Sequence, residues 1–141
     1  MILLVMLSIT WSVVIVHAEN LEDHKMEGGI TNEQPISIGE TIYSAAWAKN
    51  YGTEMLLDMV VYKYVGLENN TIKIERRDKL GTGILDEENP PQITTLSLPL
   101  NGKKQALLKI DKRYNVLPSK GELVITIVDD FNRIKVEELK S

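Results

Sequence analysis

The chain has 141 residues, no cysteine and a net charge of −4, from 16 Lys and Arg against 20 Asp and Glu. That length suits one domain with a real core and is short for two. The acidic balance argues against nucleic acid and anionic lipid, which are bound through Lys and Arg contacts to phosphate. The missing thiols remove lipoprotein processing, cysteine catalysis and the disulfide framework usual in small secreted animal domains, which points to a bacterial envelope.

From Met1 to Val16 no side chain is charged, and Ser8, Thr10 and Ser12 are the polar ones. A membrane-spanning helix needs about 20 apolar residues, whereas a secretory apolar region needs roughly 7 to 15 followed by small residues. Val16-His17-Ala18 fits the second pattern, so residues 1–18 are expected to be a signal peptide cleaved before Glu19. The start of the segment lacks Lys and Arg, so an uncleaved N-terminal anchor is the alternative. Both place the folded part outside the cytoplasm, secreted or periplasmic.

Residues 19–35 are polar and acidic around Gly28-Gly29, with neither helical nor strand periodicity, and are expected to be a flexible leader. Residues 36–141 then read as a single β domain: short runs of Ile, Val, Leu, Tyr and Thr between Gly, Asn, Asp and Pro clusters. Strands are predicted at 36–38, 41–47, 55–65, 71–76, 93–98, 104–110, 123–128 and 133–139. The expected fold is an antiparallel β-sandwich of seven or eight strands, immunoglobulin-like, with a small β-barrel as the alternative.

Register arguments refine this, because a slip of one residue turns every side chain to the other face. In "VVYKYVGLENNTIKIERR" a three-residue loop 68–70 with Asn70 left-handed gathers Val60, Tyr62, Tyr64, Ile72 and Ile74 on one face, and a two-residue Asn69-Asn70 loop does not. In "LPLNGKKQALL" a loop 100–102 with Gly102 left-handed predicts a hairpin in which Leu96 faces Ala106. In the last hairpin a loop 129–132 sets Ile127 against Ile134 and Ile125 against Val136. The similar "IKIE", "LKID" and "IKVE" segments reflect half-buried alternation rather than an internal repeat.

Chemistry is sparse. Beyond the leader, which holds His24, there is no histidine to activate a nucleophile, and no G-x-S-x-G turn or phosphate cradle. No metal site or cofactor is expected, and "LDEENPP" lacks the spacing that wraps calcium. The basic pairs Arg76-Arg77, Lys103-Lys104 and Lys112-Arg113 sit beside acids and read as solvated faces. Asn69-Asn70-Thr71 is a glycan acceptor only in a eukaryotic pathway and otherwise reads as a turn.

Asp58, between Leu57 and Met59, is the unusual carboxylate; the register brings it toward Asp78 or Lys79, where it guards a sheet edge or, with a second carboxylate, hydrolyses a glycoside. Tyr62 and Tyr64 share a strand face and are assigned to the core in preference to a sugar platform. Trp47 and Tyr51, in "AAWAKNYGTE", are the candidate binding residues, because large aromatics in a loop suit a contact surface; the competing role for Trp47 is to close one end of the sandwich. The sequence thus describes an exported, non-catalytic β domain binding a protein or glycan partner. A small carboxylate-dependent hydrolase and a structural protein tethered by an uncleaved N-terminal helix are the alternatives.

Overall fold

Half-buried alternation of side chains folds most of the described residues into strands. The computed structural model describes residues 24–51, 54–82 and 90–140, so the expected signal peptide and the acidic segment before Pro90 lie outside the described residues. Five strands, β1 (His24–Ile30), β2 (Thr41–Tyr51), β3 (Glu54–Glu68), β4 (Thr71–Thr82) and β5 (Gln92–Pro99), form one antiparallel sheet in sequential order. Three more, β6 (Gln105–Lys109), β7 (Glu122–Ile127) and β8 (Ile134–Glu138), form a second. The sheets do not close into a barrel. The architecture is an all-β sandwich built from two meanders, where the immunoglobulin arrangement uses Greek-key connections. Among the described residues no helix is long and apolar enough to cross a membrane.

The core lies between the sheets. Tyr43, Ala45, Val60, Tyr62, Tyr64, Ile72 and Ile74 from the larger sheet are buried against Ala106, Leu108, Leu123, Ile125, Ile134 and Val136 from the smaller. The inward tyrosines reach across it. Tyr64 Oη donates to Asn132 O at 2.6 Å, and Tyr43 Oη donates to Tyr114 O at 2.6 Å while accepting from Val116 N at 3.0 Å. These hydroxyls satisfy loop backbone groups that the sandwich would otherwise bury unbonded.

The β7–β8 hairpin has the predicted register, with Ile125 opposite Val136 and Ile127 opposite Ile134. The β3–β4 hairpin has the predicted pairing along its body, Tyr64 with Ile74 and Tyr62 with Arg76, but reaches it differently. Asn69 and Asn70 form a two-residue turn with φ of 51° and 59°, and a bulge between Tyr64 and Gly66 absorbs one residue. The turn alone would misplace the apolar set, and the bulge restores it.

Two expectations are overturned. β5 and β6 are not a hairpin: β5 pairs with β4, β6 pairs with β7, and Leu96 and Leu108 contribute to the core from different sheets. In the link between them Lys104, with φ of 58°, takes the left-handed conformation expected of Gly102, while Asn101 Oδ1 accepts from Lys103 N and Gln105 N. The second correction concerns the leader, whose residues 24–30 are the strand β1, paired from His24 opposite Lys49 to Ile30 opposite Tyr43. Backbone approach explains it: a Cβ on Gly28 would stand 2.1 Å from Ser44 O, so only glycine lets β1 seat there.

Between β1 and β2 the chain crosses to the smaller sheet. The predicted strand at 36–38 shrinks to one bridge, Ile36 N to Ile134 O at 2.8 Å and Ile134 N to Ile36 O at 2.9 Å. Beside it the Gln34 side chain donates to Val136 O at 2.6 Å and accepts from Val136 N, so a side-chain amide acts as one more residue of strand against β8.

Candidate functional site

β3 and β4 run for 15 and 12 residues, whereas β6, β7 and β8 have 5, 6 and 5. The larger sheet therefore extends past the smaller one, and its inner face continues beyond the apolar core. Along β4 the inward residues change from Ile72 and Ile74 to Arg76 and Asp78. On β3 they change from Tyr62 and Val60 to Asp58, which is 1% exposed. Burying these charges demands partners, and the β6–β7 connection supplies them.

That connection holds a single 3-10 turn, Lys112–Tyr114, whose N-cap Asp111 accepts from Arg113 N at 3.0 Å. Arg113 Nη2 donates to Asp58 Oδ2, and Tyr114 Oη donates to Asp58 Oδ1. Tyr62 Oη accepts from Asp111 N at 3.2 Å. Arg76 joins both sides, donating from Nε to Asp78 at 3.0 Å and from Nη2 to Asp111 at 2.9 Å, with its guanidinium 5.6 Å from the Tyr62 ring centroid and 5.9 Å from that of Tyr114. Burial opposes the charge of Arg76, yet hydrogen bonds to Asp111 and Asp78 hold its pKa above the ordinary value. The Arg113 backbone N–H, then Arg76, hold the Asp111 carboxyl below its ordinary range. Burial, then the hydrogen bond to Asp58 and the charge there, push the Tyr114 phenol up.

Two expectations change here. Arg76 does not belong to a solvated face, with its side chain 21% exposed and both hydrogen-bonding ends engaged. Asp58 lies in register with Leu80, so Asp78 is its diagonal neighbour, but the partners that satisfy it are Arg113 and Tyr114, far along the chain. Nothing local to Asp58 names them. A lone acid in an apolar strand does signal that a buried donor must come from elsewhere.

Trp47 stands within β2, opposite Asp58 and Met26, rather than in a loop: the residues around it continue the strand to Tyr51. Its ring is partly buried against the edge of the core, and the Arg113 guanidinium lies 5.9 Å from the ring centroid. Tyr51 ends the strand opposite Glu54, and its side chain is outside the described residues. The structure joins Trp47 to the ionic cluster. Tyr62 and Tyr64 are core, fully buried.

Arg76, Asp78, Lys79, Gln92, Arg113 and Tyr114 line a pocket of about 370 Å³ at this end. Among the described residues no group of three or more His, Asp or Glu could hold a metal ion. Fold and site define a two-sheet all-β domain with an ionic end whose charges largely satisfy one another. No family model, curated protein or solved structure matches the chain.

Proposed function

We propose that this protein is an exported, non-catalytic β domain of a bacterial envelope, and that it binds a neutral glycan in the pocket at the ionic end. The occupancy of Asp58 carries the reading. A glycosidase needs one carboxyl free to protonate a leaving group and another free to attack or activate water. Asp58 has both oxygens engaged by Arg113 and Tyr114, and Asp78 accepts from Arg76, so these carboxylates hold structure.

The pocket wall presents donors and acceptors together: Asp58 and Asp78 stand beside Arg76, Lys79 and Arg113, and Asp111, outside the wall, pairs with Arg76. A hydroxyl-rich, uncharged ligand suits such a wall, whereas an ion would have to break an internal pair. The volume falls within the roughly 300–1,000 Å³ of small-ligand sites. Trp47 supports the site from beneath Arg113 and does not itself line the pocket. Export rests on the uncharged start of the chain and the Val16-His17-Ala18 boundary.

Titration of the isotope-labelled protein with a panel of neutral oligosaccharides tests the site. Saturable shifts in the Trp47 indole, Arg113 and Gln92 signals are expected, and those of Trp47 and Arg113 should vanish in Gln92→Trp, which blocks the pocket without touching an ion pair. Silence across the panel removes the glycan reading. Turnover of a chromogenic glycoside, abolished by Asp58→Asn, would replace it with the hydrolase. Intact mass of the native protein tests export, with Glu19 expected as its first residue.

A further inference from the structure

A sheet edge presents unpaired backbone groups that template another strand unless charge, shortness or cover prevents it. Among the described residues, three of the four sheet edges are guarded. β1 carries Lys25 and Glu27, β6 is 5 residues long and ends at Lys109, and β8 carries Lys135 and Glu137 and is met by Gln34 and Ile36. β5 differs. Its 8 residues, Gln-Ile-Thr-Thr-Leu-Ser-Leu-Pro, hold no charge and are largely exposed, Ile93 at 52%. Among the described residues no strand pairs with its outer edge.

One hydrogen bond shows which backbone groups point outward. Leu100 N donates to Asn70 O at 3.0 Å, in line with the β4–β5 register, so the alternation of an antiparallel ladder gives the even-numbered residues of β5 to β4. The N–H and C=O groups of Ile93, Thr95 and Ser97 therefore face away from the sheet. Pro91 and Pro99, which have no N–H, lie symmetrically about Thr95.

We propose that β5 pairs antiparallel with β5 of a second copy of this chain about a two-fold axis at Thr95, joining the two larger sheets into one. In this register Thr95 faces Thr95, Ile93 faces Ser97, and each outward N–H meets a carbonyl. Pro91 meets Pro99, so the ladder ends at both sides where donors end. A two-fold axis sets a strand against itself, so any charge near the axis meets its like. A neutral strand avoids that conflict, and Thr–Thr and Ile–Ser are favourable or neutral neighbours. The neutrality and the proline spacing are properties of β5 read against its own sequence, which is why the occupant is a second copy. The β5 edge adjoins the ionic end at Gln92, which lines the pocket, and its pairing does not depend on the glycan reading.

Sedimentation equilibrium of the purified protein tests the proposal. A wild-type dimer is expected, with Thr95→Lys and Thr95→Glu each weakening it about tenfold or more. Mixing the two variants should restore the dimer, because Lys then faces Glu across the axis. Leu107→Lys, at an exposed position of the smaller sheet, should leave it unchanged. Thr95 is exposed, so unchanged melting curves separate lost association from lost folding. A wild-type chain that stays monomeric, as an edge reserved for another protein's peptide would give, overturns the proposal. So does a dimer that survives Thr95→Lys, or one that Leu107→Lys dissolves.

Discussion

Near the β3–β4 turn, the inner face of the larger sheet buries Tyr64, Ile72 and Ile74 against Leu108, Ile125 and Val136; further along the same strands it buries Asp58 and half-buries Arg76 beneath the turn at 111–114. Both stretches obey the same alternation of faces, yet different forces hold them. Apolar contact is non-directional and proportional to area, so the first region can adapt to small changes of shape. Hydrogen bonds to charge are directional, and a missing partner is costly. The first region supplies stability, and the second fixes one connection in one place.

The largest effect should come from the apolar region. Ile125→Ala, at a fully buried position, is expected to cost about 2 to 5 kcal/mol. Denaturant unfolding measures the loss, which should be nearly indifferent to salt. An equal loss from a salt-sensitive source would erase the contrast.

At the ionic end the two halves of one pair should behave unequally. Asp58 is 1% exposed and the Arg113 side chain 52%. Arg113→Ala strands a buried carboxylate with Tyr114 alone and should cost about 3 kcal/mol, the low end for such a loss. Asp58→Asn releases a guanidinium that water already reaches, while Asn can still accept from Tyr114, and should cost about 1 kcal/mol. Reversal of that order by denaturant unfolding would show that the guanidinium, not the carboxylate, is the confined charge.

The smallest effect should appear on acidification. The Asp111 carboxyl is held below its ordinary range by the Arg113 backbone N–H and by Arg76. A group with a lowered folded pKa contributes stability that is whole above its unfolded value, about 3.9, and is lost as pH falls through the folded one. Below about pH 4 the Arg113 and Tyr114 signals should therefore broaden or shift before those of Ile125 and Val136. Asp111 is over a third exposed, so solvent screening keeps the change in global stability small. Simultaneous loss of all four signals would mean that the two regions unfold as one.

What the sequence reveals follows the same division. The β7–β8 register is legible because both strands and their turn are local and share one apolar face. The body of β3–β4 is legible for that reason, but the bulge at Val65 is hidden, since a bulged two-residue turn and a plain three-residue loop place the same side chains together. Leu96 and Leu108 show the limit. Alternation reports which face a residue occupies and not which strand lies beside it, so residues meeting across the core resemble residues paired within a sheet. β1 escapes notice because the pairing that holds it is made by backbone, with glycine where a side-chain pattern would be sought. In the candidate site, Asp58 is conspicuous from its apolar neighbours, while Arg113 and Tyr114, in a loop without periodicity, carry no local sign of their task.

The Gln34 amide against β8 has a kinetic consequence. Gln34 and Val136 stand 102 positions apart, and Ile36 meets Ile134 over a similar span. Contacts of such separation slow folding, because the chain must lose the freedom of a long loop before they form. During synthesis the link from β1 to β2 emerges about a hundred residues ahead of β8, so the sandwich cannot close until β8 has been made. The nascent chain is kept open by its own topology, with the link ahead of β2 held in reserve for β8.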